Sequence, residues 1–384
     1  MENIFKRRLE KYKVAKGRID YILLAAVLAL VFLGLLFVYS ASSYSAELTY
    51  GNKYFFLTKQ AIGAVVGLVA MLVAAKIKLN FIKKLWIVGV VLSVVLLALV
   101  FVPGISIENY GARRWIGVGS FSMQPSEIAK FAYVLFCAVI MSKLDVTKLY
   151  NCLPQIGVGV LFCALIIAEP NMSITMCMAM LMIIMLYLGG MKWKYFLIML
   201  IPIALAVPLL IVMEPYRLQR LLAFLDPWAS PKDEGYQLIQ SLYALGSGGF
   251  FGVGLFNSRQ KFRFLPFAES DFIFSVIGEE TGLFGCLIVF ALYVVVIFRG
   301  VRIAVNSKDK FSFYLAGGIS AVVAVQSLLN FAVVTGSIPP TGLPLPFISY
   351  GGTSLVVFMS AMGLLLNLSA KANENTLGVK QWIT

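Results

Sequence analysis

The stretch Pro266-Phe267-Ala268-Glu269-Ser270-Asp271 leads directly into a long apolar run, FIFSVIGEETGLFGCLIVFALYVVVIF at 272–298. A run of this length and composition predicts a helix that crosses a lipid bilayer. Glu279 and Glu280 lie about two turns inside the run, where ionisable side chains are costly and therefore point to function. Asp271 lies at the mouth of the same helix. In a chain without histidine, its carboxylate is the first candidate for chemistry.

The composition extends this prediction to the whole chain. Of the 384 residues, 60% are hydrophobic and 13% are charged, and the mean hydropathy is +0.89. We predict an all-α polytopic membrane protein that forms a single integral membrane domain over residues 1–384. The ten apolar runs that we predict to be spans are 20–43, 60–75, 85–103, 125–142, 155–168, 171–190, 195–213, 272–298, 312–335 and 350–369.

The distribution of positive charge predicts the orientation. If the ten spans alternate, most of the 32 Lys and Arg residues fall on one side, and such an excess marks the cytoplasm. We therefore predict cytoplasmic termini, with a basic N-terminus at 1–19 and a tail at 370–384. The segment 214–270, between spans seven and eight, becomes a large extracytoplasmic loop. The net charge of +14 is then an orientation signal with a minor role toward membrane lipid, and nucleic acid is not an expected partner.

Three further features limit the possible chemistry. The absence of histidine excludes imidazole catalysis and the HExxH zinc motif. The five cysteines lie mostly within spans and lack metal-ligand spacing, so we expect neither a disulfide nor a metal-thiolate site. A basic stretch precedes the first span, as in a signal peptide, but nine more spans follow and we interpret the first as an uncleaved helix.

Two polar motifs precede and open the fourth span. Arg113 and Arg114 beside Trp115 suit a phosphate or pyrophosphate at the membrane surface, because Arg presents paired donors to phosphate oxygens. An interfacial anchor is the alternative for this motif. Glu127 and Lys130 are three residues apart, so they share a helix face and are expected to pair. Such a pair has either a structural or a functional role, and the sequence leaves both open.

Each remaining carboxylate has a structural interpretation beside its functional one. Glu169 lies in a tight outer turn, which turn chemistry alone explains. Asp271 either caps the helix that follows or acts as a general base. Adjacent residues on a helix point about 100° apart, so we expect only one of Glu279 and Glu280 to face the interior, in a role more structural than catalytic.

The outer segments carry further candidates. Ser258 and Lys261 match the Ser-x-x-Lys motif of penicillin-binding enzymes without its companion motifs, so we discount Ser258 as a nucleophile. Arg259, Lys261 and Arg263 form either a phosphate-facing patch or a solvated face. The segment 337–354 contains four prolines and three glycines, and we expect non-helical backbone that shapes the wall of the site.

The long outer segment also shows local structure. Apolar residues at helical spacing over 234–245 predict a helix that lies on the membrane or dips into it. A glycine-rich stretch at 246–254 follows, and without a βαβ context it does not indicate a dinucleotide site. We expect a tight turn there, packed against lipid or substrate.

Together these motifs resemble the SEDS family (shape, elongation, division and sporulation proteins) over about residues 20–370. The motifs that carry the resemblance are Gly111-Ala112-Arg113-Arg114-Trp115, Gln124-Pro125-Ser126-Glu127-x-x-Lys130, Tyr236-Gln237, Asn257-Ser258-x-Gln260-Lys261, Asp271-Phe272-Ile273-Phe274, Gly278-Glu279-Glu280 and Pro346-Phe347-Ile348-Ser349-Tyr350-Gly351-Gly352. The resemblance implies that Asp271 is the essential catalytic residue and that Glu127 and Lys130 form the family's paired residues. The substrate-binding candidates are Arg113, Arg114, Trp115, Glu127, Lys130, Asn257, Gln260, Lys261, Ser349 and Tyr350, and the supporting candidates are Glu169, Glu279, Glu280 and Asn330.

The resemblance also implies an activity and a partner. Such proteins polymerise lipid II, a disaccharide-pentapeptide on undecaprenyl pyrophosphate, in the bacterial cytoplasmic membrane. They work with a class B penicillin-binding protein that crosslinks the product. No cofactor is certain; a divalent cation could share the stabilisation of the pyrophosphate, although no clear ligand set is visible.

Two details and two alternatives qualify the resemblance. Asn171 stands where many relatives have Asp, and the stretch 341–344 is closer to the division and sporulation branch than to the elongation branch. A lipid II flippase is one alternative, for which Glu279 and Glu280 are the best argument. A non-catalytic scaffold that recruits the crosslinking enzyme is the other.

Overall fold

The computed structural model describes residues 17–109, 112–118, 121–212 and 215–380. Helices dominate these residues, and a small antiparallel sheet lies between the fourth and fifth helices. The α-helices of the described residues are α1 Tyr21–Tyr50, α2 Phe55–Ala74, α3 Leu79–Lys84, α4 Trp86–Leu99, α5 Pro125–Met141, α6 Leu149–Ala168, α7 Met172–Leu188, α8 Trp193–Val212, α9 Pro215–Leu225, α10 Tyr236–Gly248, α11 Ile273–Val305, α12 Lys310–Val334 and α13 Gly352–Lys380. A 3-10 turn, Pro227–Ala229, lies between α9 and α10.

Each of the ten predicted spans lies on one of these helices. Within the described residues, six helices are long and apolar enough to cross a membrane: α1, α2, α6, α11, α12 and the part of α13 that ends at Ala372. Helices α4 and α7 are apolar but shorter. The helical, polytopic character of the chain is therefore confirmed. The count of ten crossings and the orientation remain predictions, and the N-terminus at 1–19 lies mostly outside the described residues.

Helix α12 is the central element of the bundle. Most of its side chains are buried, and it packs against α11, α5 and α7. On another face of the bundle, α13 packs closely along α2, because small residues let the two backbones approach. A Cβ atom at Gly363 would lie 2.2 Å from the Met71 carbonyl oxygen, so no larger residue fits there without a shift.

The segment between α4 and α5 folds into a three-stranded sheet, which the prediction of an all-α fold did not include. Its antiparallel strands are β1 Ser106–Asn109, β2 Ala112–Val118 and β3 Phe121–Met123, in that order. Trp115 pairs with Ile107 and Arg113 with Glu108, so Arg114 is an extra residue at a β-bulge. A bulge re-aims a side chain out of the regular alternation of a strand.

Helix α11 is broken near its start, at Gly282, whose φ of 66° and ψ of −165° are not helical. The glycine-rich segment 249–254 supplies partners for the backbone groups that the break exposes. Four backbone hydrogen bonds of 2.9–3.2 Å join the two: Val253 N to Glu279 O, Gly254 N to Glu280 O, Leu283 N to Gly249 O and Phe284 N to Phe250 O. The predicted tight turn is therefore present. Its backbone is hydrogen-bonded to a helix, and its predicted contact with lipid or substrate stays a prediction.

Helices α1 and α11 lie side by side and are tied by polar contacts at both ends. Arg299 of α11 forms an ion pair of 2.6 Å with Asp20, which also caps α1 by accepting from Leu23 N at 3.0 Å. At the other end, the Ser40 hydroxyl donates to Glu280. The two ties are about 30 Å apart at 1.5 Å per residue. The first helix is thus packed into the bundle, and its interpretation as an uncleaved helix stays a prediction.

Candidate active site

Asp271 lies just before α11 and is half-buried. The helix begins at Ile273, with Phe272 in the N-cap position and no side chain capping it. The interpretation of Asp271 as a helix cap is therefore wrong. Its Oδ1 accepts a hydrogen bond of 3.0 Å from the Ser270 hydroxyl, which leaves the carboxylate available for chemistry.

Burial and charge act on Asp271 in opposite directions. Burial raises the pKa of Asp271 above its ordinary value of 3.8, whereas the Ser270 hydroxyl and the guanidiniums of Arg114 and Arg220 lower it. Burial is the larger effect, so the pKa is raised overall. A carboxylate with a raised pKa is a stronger proton acceptor than an ordinary aspartate. The two guanidiniums beside it suit an anionic group of a substrate.

Glu127 and Lys130, both on α5, form the expected ion pair. Lys130 Nζ lies 2.9 Å from Glu127 Oε1, and the two side chains are 0% and 2% exposed. Lys130 also donates to Gln326 Oε1 on α12. The other Glu127 oxygen accepts from the Ser354 hydroxyl on α13 at 3.2 Å. The pair therefore joins three helices inside the bundle.

Gln326 connects this ion pair to the loop after α12, which in turn contacts the segment that carries Asp271. Its Nε2 donates to the Pro344 carbonyl at 2.9 Å. Asn330, one turn further along α12, donates to the carbonyls of Leu343 at 2.6 Å and Asp271 at 2.8 Å. The sequence identifies Asn330 as a supporting candidate, but Gln326 was not among the predicted residues. The available signal was a second amide four residues earlier in an apolar span.

The loop after α12 fixes the residues before Asp271. Its Ser349 hydroxyl donates to the Ser270 carbonyl at 2.6 Å, and its Tyr350 N–H donates to the Glu269 carbonyl at 2.9 Å. Gln60, a buried amide on α2 that the sequence analysis missed, donates to the Ser349 carbonyl at 3.1 Å. The loop has the predicted non-helical shape, and it positions the reactive segment through its backbone.

Arg114 is the member of the Arg-Arg-Trp motif that the structure brings beside Asp271. As the bulge residue of β2, it donates from Nη2 to the Pro170 carbonyl at 2.6 Å. Arg113 is exposed, and Trp115 is half-buried in the sheet. The bulge therefore explains why two adjacent arginines have different environments.

Arg220 of α9 is the second cation near Asp271, and the sequence analysis missed it. Its guanidinium donates to the Pro340 carbonyl at 3.4 Å and lowers the pKa of Asp271. The available signal was a pair of arginines in an apolar stretch of the segment 214–270. This stretch is distant from Asp271 in the sequence, and only the fold brings the two together.

Glu169, at the end of α6, is buried with 1% exposure, and neither carboxyl oxygen has a hydrogen-bond partner in the described structure. Burial raises the pKa of Glu169 to about 8, although Arg114 lowers it. Glu169 is therefore mostly protonated at neutral pH. Nearby, Asn171 caps α7 by accepting from Ile174 N at 3.3 Å. Asp and Asn are both favoured at that position.

Glu279 and Glu280 are both buried, each with 1% exposure. The expectation that only one of them faces the interior is wrong. Protein covers the helix on two sides here, because α1 contributes Ser40 to Glu280 and the outer segment places the backbone of Arg259 on Glu279. Ser258 is fully buried and donates to Glu279, which is a structural contact and not that of a nucleophile.

The other predicted residues of this region make local contacts. Lys261 Nζ donates to the Phe256 carbonyl, and Asn257 Nδ2 donates to the Val253 carbonyl at 3.4 Å. Gln260 is buried. These residues form a second cluster, around the break in α11, separate from the first cluster around Asp271.

No group of three or more Cys, Asp or Glu side chains in the described part of the chain is arranged to hold a metal ion. Near Asp271, burial raises the pKa of Glu269, and the charge of Asp271 raises it further. The divalent cation considered from the sequence stays a prediction, for which substrate phosphates would supply part of the oxygen ligands.

The chain matches the FtsW/RodA/SpoVE family model, described as cell cycle protein, over residues 21–374. The chain belongs to this family. The resemblance seen in the motifs is thereby confirmed, and with it the location as a multi-pass protein of the bacterial cytoplasmic membrane.

Two relatives extend the family match along nearly the whole chain. The probable peptidoglycan glycosyltransferase FtsW of Geobacter sp. (strain M18) is 39% identical over 369 residues, which cover 95% of this chain and 98% of the relative. Stage V sporulation protein E of Bacillus subtilis (strain 168) is 38% identical over 354 residues, which cover 91% and 96%. These relatives belong to the division and sporulation branch that the stretch 341–344 resembles.

Solved structures show the same fold. One chain of a peptidoglycan synthase complex, described by its structural coordination of polymerization and crosslinking, has a TM-score of 0.78 and 25% identity, covering 92% of this chain and 98% of its own. The rod shape determining protein RodA of Thermus thermophilus has a TM-score of 0.68 and 23% identity, covering 92% and 97%. The helical bundle described above is therefore the fold of the family.

Proposed function

We propose that the chain is a peptidoglycan glycosyltransferase that polymerises lipid II into glycan strands and releases undecaprenyl pyrophosphate. The observation that carries this proposal is Asp271, a carboxylate that does not cap its helix and lies near the guanidiniums of Arg114 and Arg220. A base and fixed cations are the groups that this reaction requires. The name of the Geobacter relative, and the synthase complex with a similar fold, support the same activity.

In the proposed reaction, Asp271 accepts the proton of an acceptor sugar hydroxyl. The hydroxyl oxygen forms a bond to the anomeric carbon of the donor, and the bond from that carbon to the pyrophosphate oxygen breaks. Arg114 and Arg220 stabilise the negative charge that develops on the leaving pyrophosphate. Asp271 then releases its proton to solvent. The raised pKa of Asp271 favours the first step.

The other candidate residues have supporting roles in this proposal. The Glu127–Lys130 pair fixes the position of Asp271 through Gln326 and the loop after α12. The remaining substrate-binding candidates, which contact the lipid II headgroup and its phosphates in this proposal, are Arg113, Trp115, Asn257, Gln260, Lys261, Ser349 and Tyr350.

A lipid II flippase is less well supported. A transporter of this kind binds its substrate near the middle of the membrane. At 1.5 Å per residue, Glu280 lies about 28 Å from Arg299 along α11, nearly the full thickness of the hydrocarbon region. The two glutamates that favoured a flippase therefore lie near one membrane boundary. Both also accept hydrogen bonds from the protein backbone, Glu280 from Ser258 N and Glu279 from Arg259 N.

The topology and the partner belong to the same proposal. Ten crossings with both termini in the cytoplasm place the segment 214–270, and with it the reaction, at the outer face of the membrane. A class B penicillin-binding protein is the proposed partner, since the synthase complex with a similar fold coordinates polymerization with crosslinking. Recovery of such a protein with the detergent-solubilised chain would support this assignment. A scaffold without activity of its own is the alternative.

The test is lipid II polymerisation by the purified protein and by its Asp271→Asn variant. Loss of a general base lowers such rates by about 10²- to 10⁴-fold, and Asn preserves the size of the side chain and its hydrogen bond from Ser270. The matched control is Asp226→Asn, because Asp226 is an exposed outer-segment residue that caps the Pro227–Ala229 turn. Polymer formed at the parent rate by the Asp271 variant would refute the proposal. A parent protein that forms no polymer would favour a flippase or a scaffold.

A further inference from the structure

The first part of α11 ends in two adjacent buried carboxylates, just before the break at Gly282. Burying carboxylates is costly unless they are paired or well hydrogen-bonded. The reaction proposed for Asp271 does not use them. Their contacts therefore need an explanation of their own.

Glu279 accepts hydrogen bonds from three successive residues of the outer segment. Its Oε1 accepts from Arg259 N at 2.9 Å, and its Oε2 accepts from the Ser258 hydroxyl and, at 3.4 Å, from Gln260 N. Successive backbone N–H groups that converge in this way form an anion-binding concavity. Here a carboxylate of the same chain fills it.

Glu280 binds the same turn from its other side. Its Oε1 accepts from Ser258 N at 3.2 Å and from the hydroxyl of Ser40 on α1. Its Oε2 has no hydrogen-bond partner in the described structure. Glu280 thus links three parts of the protein through a single oxygen atom: α1, α11 and the outer segment.

We infer that Glu279 and Glu280 are positioning residues that hold the turn 257–261 against α11. The turn carries Asn257, Gln260 and Lys261, and the statement that these residues contact lipid II rests on the proposed function. Asp271 lies about 12 Å from Glu279 at 1.5 Å per residue of helix. The turn and the proposed base are therefore fixed to the two ends of one short helical segment, and the carboxylates set the distance between them.

This positioning role predicts different effects for the Gln and Ala substitutions of Glu279 and Glu280. Glu280→Gln keeps the bonds from Ser40 and Ser258, because a Gln side chain also has one carbonyl oxygen. Glu279→Gln keeps the bond from Arg259 N and can donate to the Ser258 hydroxyl, but it loses the weak bond from Gln260 N. The Ala variants lose every bond. If a carboxylate instead carried a proton or a necessary charge, its Gln and Ala variants would lose function equally.

The first measurement is limited trypsin digestion of the folded protein, read as cleavage within 259–263. Arg259 and Arg263 are exposed, but cleavage requires local opening of the turn. We expect the Ala variants to be cut at least about tenfold faster than the parent, and Glu280→Gln to be cut at the parent rate. The control is Glu47→Ala, because Glu47 is an exposed glutamate in the last turn of α1.

The second measurement is lipid II polymerisation. We expect Glu279→Ala to raise KM, Glu280→Gln to match the parent, and the double variant Glu279→Ala/Lys261→Ala to be no slower than the slower single variant. A general loss of stability would give additive effects instead. Equal losses in Glu280→Gln and Glu280→Ala, or parent-like protection of the turn in both Ala variants, would overturn the inference. If the Ala variants fail to accumulate, Glu280→Gln decides alone, by keeping or losing the protection. Because digestion needs no activity, it tests this inference even where the parent forms no polymer.

Discussion

Replacing one partner of the buried Glu127–Lys130 pair tests how strongly the site depends on it. Lys130→Met removes the donor to Glu127 Oε1 and to Gln326 Oε1, both inside the bundle. The Ser354 hydroxyl, at 3.2 Å from the other Glu127 oxygen, remains. A buried ion pair that loses one partner costs about 3–5 kcal/mol, because the other charge stays buried without its counterion. Glu127→Leu, which strands the Lys130 ammonium, should cost about as much.

The double variant Glu127→Leu/Lys130→Met should be more stable than the sum of the single variants. It leaves no buried charge, and the principal loss is the donor to Gln326, at about 1–3 kcal/mol. The coupling energy is then at least about 3 kcal/mol. With an unfolding entropy of about 2.1 cal/mol/K per residue, each single variant should lower the Tm by about 5 °C.

The assay is thermal unfolding of the detergent-solubilised variants together with their polymerisation rates. Lys308→Met is the matched control, since Lys308 is exposed and its loss should change the free energy of unfolding by less than about 0.5 kcal/mol. Additive effects of the two single variants, in both stability and rate, would show that the pair is not coupled.

Two further predictions concern the topology and Glu169. A cysteine in place of the exposed Lys232 should react with an impermeant maleimide in intact cells, with the parent chain as control; labelling only after permeabilisation would place 214–270 in the cytoplasm. Burial raises the pKa of Glu169 from 4.5 to about 8, so between these pH values the folded state keeps a proton that the unfolded chain has lost, and stability falls as the pH rises. Glu169→Gln should remove this pH dependence. We expect the Tm of the variant to fall less between pH 5 and pH 8 than the Tm of the parent does, by at least about 2 °C. An equal change of Tm with pH in the two proteins would contradict the burial of Glu169.

Local spacing in the sequence was enough to predict the helices and one ion pair. The ten apolar runs all lie on helices, since a helix satisfies its backbone hydrogen bonds within the run, with the exception of the break at Gly282. Glu127 and Lys130 pair because residues three apart on a helix are neighbours. The role of Asp271 was ambiguous, because a shift of the helix start by one residue decides whether its carboxylate caps the helix. Phe272 occupies the N-cap position, so Asp271 does not cap the helix.

Contacts between distant parts of the chain decided what the sequence could not show. Both Glu279 and Glu280 are buried because α1 and the outer segment cover two sides of one helix, which no single-helix pattern reveals. The break at Gly282 depends on hydrogen bonds from a segment about 30 residues earlier in the chain. The packing of α12 brings Gln326 to the loop that contacts the Asp271 segment, and the packing of α9 brings Arg220 near Asp271, so their types alone did not identify them.

The polar contacts Asp20–Arg299 and Ser40–Glu280 join α1 and α11 at both ends, so the two helices form a rigid unit of fixed length. A bilayer thinner or thicker than about 30 Å cannot stretch or shorten it, so the pair must tilt as a unit or deform the lipid around it. Since Asp271 lies beyond the contact between Ser40 and Glu280, tilting changes its height relative to the acyl chains. The lipid-linked substrate of the proposed reaction would be anchored in the same bilayer. Acyl chain length thereby becomes a physical control on how the two meet, and polymerisation rates in proteoliposomes of graded thickness would measure it.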